Sequence, residues 1–312
     1  MLFRTEIDIP KNPIVDFNRQ FLLLGSCFGE HIGEKLLTNR FPGCVNPFGV
    51  LYNPKSIAAA LQRLWLQQPF TEDELFEYGG LWHSNMHHGS FSATDKQQTL
   101  QNINDTFLKA SADICNTKTY IITFGNAWVY ENAQGIVVAN CHKQPQQCFT
   151  QRRLTMEEIV TDWQQLIQKI HAKTPDADFI FTVSPMRYRE HGPLGVGTNK
   201  AVLLLAVEEL IKQERVHYFP SYEIVMDELR DYRFYASDMI HPSEVAIDYI
   251  WHRFAATQLT KEATTLLPEI EKIIKQLLHR PLHPDSEEAQ QCQQQLRKKI
   301  AQIQAQYPNI KI

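Results

Sequence analysis

The sequence predicts an α/β fold built on a mostly parallel sheet with helices on both of its faces. Short apolar runs alternate along the chain with segments of helical periodicity, which is the order of βαβ units. The first run, residues 21–24, leads directly into Gly25, Ser26 and a helical segment. This order is typical of a buried strand, a sharp turn and a helix start. Two later runs, 119–124 and 178–185, predict two further buried strands.

Composition and charge are those of an ordinary globular protein. Of the 312 residues, 43% are hydrophobic and 21% are charged, which is enough apolar material for a sizeable core. Acidic and basic residues are interspersed and give a net charge of −4, so we expect no nucleic-acid partner. Residues 1–10 lack the basic and apolar regions of a secretory signal, and no apolar run is long enough to span a bilayer. We therefore expect a cytoplasmic protein without a membrane span.

Metal and cofactor signals are weak. The six cysteines are scattered without the spacing of a metal site or a disulfide framework, and we expect reduced thiols. His83, His87 and His88 lie close together, but neither an HExxH pattern nor a cysteine pair accompanies them. The chain also has no glycine-rich phosphate-binding loop. The sequence therefore predicts no cofactor and no metal.

The turn after the first strand is the best candidate for a nucleophile. Ser26 would lie at the carboxyl end of a parallel strand and at a helix N-terminus, where backbone N–H groups and a partial positive charge stabilise an oxyanion. Cys27 is a competing nucleophile, because a thiolate would be stabilised at the same place. The ordinary alternative is that Ser26 only caps the helix.

A base and its orienting acceptor occur near the other end of the chain. Asp238 and His241 lie three residues apart within the segment 235–243. A serine nucleophile requires a base within hydrogen-bond reach, and the base requires an acceptor for its second ring nitrogen. Ser26, His241 and Asp238 supply these three roles.

The other elements of the N-terminal half follow from periodicity and turn residues. In order, we predict a helix over 30–38, a short strand over 41–45, a loop over 46–54, a helix over 55–68, a short helix opened by a capping box at 71–74, and a loop over 81–90. The last loop is unusually rich in histidine. We expect it to form a wall of the substrate cleft through His83 and Ser84 in particular.

The C-terminal half continues in the same way. We predict a hairpin over 128–138, a helix opened by a capping box at 155–158, a loop over 186–198, a helix over 200–214, a short strand over 216–220 and a closing helix over 242–254. The hairpin leaves from the carboxyl end of a strand, so it should project over the active face and bring His142 to the substrate. Arg187 would lie on the rim, where a guanidinium binds oxyanions.

Composition shifts beyond about residue 256 to Gln, Lys, Glu and Leu. We therefore expect a main domain over 1–255 and a C-terminal helical extension over 256–312, with helices near 261–278 and 285–306. The last helix has few apolar residues. Three roles stay open for it: an exposed helical hairpin, an arm that binds a partner, and a contact in a homo-oligomer.

The segment Gly25-Ser26-Cys27-Phe28-Gly29 resembles the signature of the GSCFA family, with Gly29 in place of alanine. The resemblance extends over most of the chain, through residues 46–54, 138–143, 182–185 and 218–223. That family is similar to the SGNH/GDSL hydrolases. The resemblance implies a three-layer α/β/α sandwich with a flavodoxin-like sheet, a catalytic serine after the first strand and an Asp-x-x-His motif near the end, which here are Ser26, Asp238 and His241.

The same resemblance implies two donors for an oxyanion hole. In SGNH hydrolases a glycine after the second strand is one donor, and Gly49 has that position here. A second donor is the Asn of a Gly-x-Asn-Asp motif, whose side-chain amide reaches developing negative charge. This sequence departs from that motif, because Asn126 follows Gly125 directly and no Asp comes after it.

Together these expectations predict a serine hydrolase that cleaves an acyl ester through an acyl-enzyme on Ser26. The resemblance favours a small-molecule or carbohydrate substrate that carries an O-acetyl or another short acyl group. Transfer of the acyl group to another hydroxyl would use the same residues. Two other classes stay open: a ligand-binding protein that kept the fold without turnover, and a metal-assisted hydrolase that uses His83, His142 and neighbouring side chains.

Overall fold

The computed structural model describes residues 5–279, 286–308 and 310–312. Its strands are β1 (Gln20–Gly25), β2 (Gly43–Val45), β3 (Leu75–Tyr78), β4 (Leu81–Ser84), β5 (Thr117–Phe124), β6 (Trp128–Glu131), β7 (Val137–Val138), β8 (Thr150–Arg153), β9 (Asp178–Val183) and β10 (Val216–Tyr218). Its helices are α1 (Cys27–Thr38), α2 (Pro54–Leu66), α3 (Lys96–Ala112), α4 (Met156–His171), α5 (Gly192–Leu210), α6 (Ser221–Glu223), α7 (Glu244–Gln258), α8 (Lys261–Leu278) and α9 (Glu287–Gln306).

The main sheet has five parallel strands in the order β2-β1-β5-β9-β10. Counted along the chain, the order of these strands is 2-1-3-4-5, which is the flavodoxin-like doubly wound arrangement. The register pairs Leu23 of β1 with Ile121 of β5, and Ile121 with Ile180 of β9. The predicted mostly parallel α/β fold is therefore confirmed.

Two apolar cores lie on opposite faces of this sheet, because successive strand side chains point to opposite sides. Leu22 and Leu24 of β1 belong to the core that α2 and α4 cover. Leu23 belongs to the other core, which α1, α7 and α8 cover. Helices on both faces give the three layers of the predicted sandwich. Since Ile270 of α8 is part of the second core, the first helix of the predicted extension packs directly on the main domain.

Two small antiparallel sheets lie outside the main sheet, and they correct parts of the prediction. The hairpin predicted over 128–138 is confirmed as β6 paired with β7, and an unpredicted strand, β8, pairs with the other edge of β6. The loop predicted over 81–90 is wrong for its first four residues, which form β4 and pair with β3. A strand this short depends on its partner, so apolar periodicity did not reveal it.

The helices after β9 also differ in part from the prediction. Helix α5 begins at Gly192, so the predicted loop over 186–198 is too long at its C-terminal end. The predicted helix over 261–278 coincides with α8. Helix α9 begins at Glu287, and residue 285, where we predicted its start, lies outside the described residues. Within the described ranges, every helix is too short or too polar to cross a bilayer.

Gly25 makes the turn from β1 toward α1 possible. Its φ is +146°, and a Cβ atom there would lie 2.3 Å from the carbonyl oxygen of Thr123 on the neighbouring strand. We expect Gly25→Ala to lower the free energy of unfolding by about 3 kcal/mol or more, since both backbone strain and a steric clash oppose it. Urea unfolding followed by circular dichroism measures this loss.

Gly135→Ala is the matched control for that substitution. Gly135 also has a positive φ, +73°, but a Cβ there would meet no atom within 4 Å. Its expected cost is therefore only the left-handed backbone penalty of about 1–2 kcal/mol. Equal losses in the two variants would contradict the role assigned to the close approach of Thr123.

Candidate active site

Ser26 lies between the end of β1 and the start of α1, and its side chain is fully buried. It occupies the N-cap position of α1, but its hydroxyl makes no capping hydrogen bond. An N-cap serine usually accepts one from a backbone N–H two or three residues further on. Within the described residues, this hydroxyl has no hydrogen-bond partner of any kind. Because a buried unpaired hydroxyl is uncommon, a role in helix capping alone does not explain Ser26.

Asp238 and His241 form a hydrogen-bonded pair in the loop before α7. Asp238 Oδ2 lies 2.5 Å from His241 Nδ1, and Oδ1 accepts hydrogen bonds from the backbone N–H groups of Ile240 at 2.8 Å and His241 at 3.0 Å. These backbone hydrogen bonds, that of His241 first, lower the pKa of Asp238 to about 2. An ionised carboxylate only accepts, so Nδ1 carries a hydrogen and Nε2 is the nitrogen that can act as a base.

The free nitrogen of His241 faces the first residue of α1. Its Nε2 lies 4.0 Å from Cys27 Sγ, which also lies 3.2 Å from the sulfur of Met186. Burial raises the pKa of the Cys27 thiol, although a hydrogen bond from the Tyr52 hydroxyl opposes this effect. A thiol with a raised pKa is a poor nucleophile until a base removes its proton. The structure thus places the free nitrogen of His241 beside the Cys27 thiol, and within the described residues no hydrogen bond joins it to the Ser26 hydroxyl.

A cavity of about 230 Å³ opens beside Ser26. Four aromatic side chains line it: Tyr52, Trp128, Tyr130 and Tyr188. They come from the start of α2, from β6 and from the segment after β9, so the hairpin predicted to project over the active face does form part of this wall. The aromatic rings restrict the volume beside the serine.

Polar groups on the cavity wall can orient a ligand. Asn126 Oδ1 accepts a hydrogen bond from the N–H of Trp128 at 3.0 Å, which leaves Nδ2 as the end that can donate to a ligand. Glu190 accepts one from the hydroxyl of Tyr130 at 2.8 Å, and both residues line the cavity. Of the two oxyanion donors expected from the sequence, Asn126 is the one that the structure places at this cavity.

Gly49, the other expected donor, lies elsewhere. Its N–H donates to the carbonyl oxygen of Asn46 at 2.7 Å, and its Cα lies against the side chain of His88. It is not among the described residues that line the cavity. The structure uses this N–H to close the turn after β2, because the chain must reverse there before α2.

The expected wall of His83, Ser84 and His142 is also not brought to the cavity. All three are buried. His83 hydrogen bonds to Ser92 Oγ at 2.7 Å and to the carbonyl oxygen of Tyr78 at 3.0 Å, and His142 Nε2 hydrogen bonds to the carbonyl oxygen of Ser84 at 2.8 Å. These bonds fasten the β3-β4 hairpin to the segment after β7. In the described part of the chain, no group of three His, Cys, Asp or Glu side chains could hold a metal ion.

Burial disfavours the charged form of two histidines in this region. It lowers the pKa of His142 to about 4 and that of His87 to about 3. His87 stacks on Phe48 with ring centroids 4.9 Å apart, and its ring packs at the edge of Phe70. A structural role accounts for these contacts.

Lys200 is a functional candidate that our reading of the sequence missed. Its side chain on α5 is fully buried, and Nζ donates to the carbonyl oxygens of Gly125 at 2.8 Å and Ser184 at 2.6 Å. Gly125 and Ser184 follow β5 and β9, and both line the cavity. One signal was available: Lys200 lies three and seven residues before Leu203 and Val207, on the apolar face of its helix.

The buried ammonium of Lys200 should make stability depend on pH. Burial lowers its pKa from 10.5 to about 7. The unfolded chain therefore binds more protons between pH 7 and 10.5, so this residue makes stability rise with pH in that window. We expect the wild type to gain about 2 kcal/mol between pH 7 and pH 9 relative to Lys200→Met, measured by urea unfolding at each pH.

Lys212→Met is the control, since Lys212 is exposed and its ion pair in the described part of the chain is with Glu209 at 2.6 Å. It should show the same pH dependence as the wild type. A difference between wild type and Lys200→Met that does not change with pH would contradict a titrating buried lysine.

Comparison with known proteins identifies one family and three distantly similar solved structures. A family model described as GSCFA family matches residues 20–254, and one described as GSCFA domain protein, C-terminal domain, matches residues 270–312. No curated protein matches the chain.

Three solved structures resemble this one distantly. A candidate platelet activating factor from Streptococcus pneumonia has 11% identity and a TM-score of 0.38, over 78% of this chain and 83% of that one. A family 3 carbohydrate esterase from Clostridium thermocellum has 9% identity and a TM-score of 0.34, over 81% and 98%. A family two carbohydrate esterase from the same organism, in complex with cellohexaose, has 11% identity and a TM-score of 0.34, over 84% of this chain and 67% of that one. These likenesses are too low to indicate what this chain does.

Proposed function

Because the chain belongs to the GSCFA family, whose model covers residues 20–254, we propose that it is a serine hydrolase of the SGNH type that cleaves an acyl ester. One observation carries the proposal. The Asp238-His241 pair holds its free nitrogen 4.0 Å from Sγ of Cys27, the residue after Ser26, and the Ser26 hydroxyl is buried at the wall of a cavity without a partner among the described residues. A nucleophile, a base and an orienting acceptor thus lie at the same end of the parallel sheet, where α/β proteins bind their ligands.

In the first half of the reaction, the ester carbonyl lies in the cavity against Ser26. His241 Nε2 accepts the hydroxyl proton as Oγ attacks the carbonyl carbon, while the ionised Asp238 stabilises the imidazolium that forms. Negative charge develops on the carbonyl oxygen. Asn126 Nδ2 and the positive end of the α1 dipole would stabilise it. Collapse of the tetrahedral intermediate expels the alcohol, which takes the proton from His241, and leaves the acyl group on Ser26.

In the second half, water replaces the alcohol. His241 removes a proton from the water as the oxygen attacks the acyl-enzyme, and it returns that proton to Ser26 when the acid leaves. The whole cycle uses one base and one carboxylate. The sum of the two halves is one ester and one water converted into one alcohol and one acid.

The size of the cavity favours a short acyl group. Its volume of about 230 Å³ lies below the range of about 300–1,000 Å³ that is typical of pockets for drug-sized ligands. An acetyl group therefore fits, whereas a long acyl chain would have to leave the cavity. We propose an O-acetyl ester, and the family resemblance favours a carbohydrate or another hydroxylated molecule as the alcohol.

Two experiments on the purified chain test the proposed function. The first measures hydrolysis of 4-nitrophenyl esters from acetate to octanoate, where we expect the acetate to be the best substrate. The second treats the chain with a fluorophosphonate and maps the modified residue by mass spectrometry, where we expect Ser26. Absence of both turnover and labelling would overturn the proposal and would favour a ligand-binding protein without catalysis.

A further inference from the structure

The segment that follows Ser184 separates the cavity from a second, larger depression. Met186, Tyr188 and Glu190 line the cavity beside Ser26. Arg187 and Arg189 line a groove of about 780 Å³ on the other side. Alternate side chains thus face opposite ways, as expected for extended backbone. This segment carries a negative charge toward the cavity and two positive charges toward the groove.

Of the two arginines, Arg187 contacts the fold weakly through its side chain: its Nη1 donates to the sulfur of Met226, which lines the same groove, at 3.5 Å. Both are exposed, and within the described residues neither forms an ion pair with a carboxylate. The other charges of the groove already have partners: Arg230 pairs with Asp227 at 2.6 Å, and Asp231 pairs with Arg233 at 2.9 Å. Two guanidinium groups on one wall that have no carboxylate partner among the described residues make the groove suitable for an anion.

The floor of the groove is apolar. Val196, Val225 and Leu229 line it and are themselves almost fully buried, and Tyr232 stands at its edge with 79% of its surface exposed. The volume lies within the range of pockets that hold organic ligands of moderate size. A free inorganic anion would leave most of this apolar surface uncovered. The groove therefore suits a molecule that has both an anionic group and an apolar portion.

The groove also adjoins the candidate base. Met239, which lies between Asp238 and His241 in the sequence, lines it. The N–H of Arg187 lies 3.5 Å from the carbonyl oxygen of Ile240 in the same loop. A ligand in the groove would therefore lie next to the loop that carries the imidazole.

We propose that this groove binds an oxyanion, a phosphate or a carboxylate, that is attached to an apolar group. Arg187 and Arg189 hold the oxyanion, and the valine and leucine side chains hold the apolar portion. The anion is kept out of the neighbouring cavity by Glu190. Resting on the proposed function, the occupant is the alcohol part of the substrate, with its acetyl group across the dividing segment in the cavity.

Direct binding tests the groove without any requirement for catalysis. Octyl phosphate, octanoate and the neutral octyl glucoside are titrated into the chain by calorimetry, each below its micelle-forming concentration. We expect the two anions to bind and the neutral compound to bind at least tenfold more weakly. The anion that binds with the higher affinity identifies the preferred oxyanion. Increasing salt concentration should lower the affinity of both anions.

Variants assign the binding to the two arginines. Arg187→Gln and Arg189→Gln should each weaken anion binding about tenfold, because each removes a charge-assisted hydrogen bond. The double variant Arg187→Lys/Arg189→Lys should recover part of the lost affinity for the anion. Arg297→Gln on α9, another exposed arginine, is the control and should bind as the wild type does. Anion binding that is absent, or equal in wild type and the Gln variants, would overturn the proposal.

Kinetics test the link to the substrate separately. The ratio of kcat/KM for 4-acetoxybenzoate to that for its neutral methyl ester is measured in wild type and in the double Gln variant. We expect the ratio to fall at least tenfold in the variant, while hydrolysis of the methyl ester is retained. An unchanged ratio with intact hydrolysis would show that the groove does not bind the alcohol. If no ester is hydrolysed at all, the proposed function fails and the calorimetry still decides the anion site.

Discussion

Ser26→Ala is expected to reduce the kcat/KM for a short-chain ester by about 10⁴-fold or more, since loss of the nucleophile removes the acyl-enzyme route altogether. The substitution deletes a hydroxyl that has no hydrogen-bond partner among the described residues. The substitution should therefore leave the midpoint of thermal unfolding nearly unchanged. Alanine keeps the Cβ atom of the serine, so it introduces no steric clash. Initial rates with 4-nitrophenyl acetate, together with thermal unfolding of both proteins, measure the two effects.

Cys27→Ala separates the two candidate nucleophiles. The Sγ atom of Cys27 lies 4.0 Å from His241 Nε2. A mechanism that uses this thiol would therefore lose its nucleophile in the variant. With Ser26 as the nucleophile, we expect Cys27→Ala to keep activity within about tenfold and to keep fluorophosphonate labelling. The reverse result, with activity lost in Cys27→Ala and retained in Ser26→Ala, would assign the chemistry to the thiol.

The main sheet could be predicted because its central strands are buried on both faces. Residues 21–24 of β1 are therefore a continuous apolar run, and residues 119–124 of β5 are mostly apolar apart from Thr119 and Thr123, so both segments stand out in the sequence. The small sheets were harder to predict. Strand β8 has four residues and pairs with β6, from which β7 separates it in the chain. Its sequence therefore carries little local information. Strand β4 did have a local signal, because the turn at Gly79 and Gly80 joins it directly to β3 in a hairpin.

The candidate site likewise contains residues whose positions could be predicted from the sequence and residues whose positions could not. Asp238 and His241 could be paired from the sequence because one turn of chain joins them. The positions of Gly49, His83 and His142 depend on how three separate loops pack against one another, which no short pattern records. Lys200 was missed for another reason. Its contacts depend on how α5 packs on the sheet, because the carbonyl groups that it binds, those of Gly125 and Ser184, follow two different strands.

Asp238→Asn is expected to lower kcat by about 10⁴-fold with little change in KM. Asn keeps an oxygen that can accept from the N–H groups of Ile240 and His241, so the loop should hold its shape. Its amide nitrogen, however, would donate toward Nδ1 of His241. The imidazole would then carry its hydrogen on Nε2, where it cannot accept the proton of Ser26. Pre-steady-state kinetics with 4-nitrophenyl acetate measure the slower formation of the acyl-enzyme.

The pH profile distinguishes this tautomer effect from simple loss of charge. The pKa of Asp238 is lowered to about 2, so its carboxylate stays ionised throughout pH 4–9 and does not shape the wild-type profile there. Asp105→Asn, which changes an exposed carboxyl on α3, is the control and should match the wild type. If Asp238→Asn kept activity within about fivefold of Asp105→Asn, His241 would not act as the base in the orientation that Asp238 imposes.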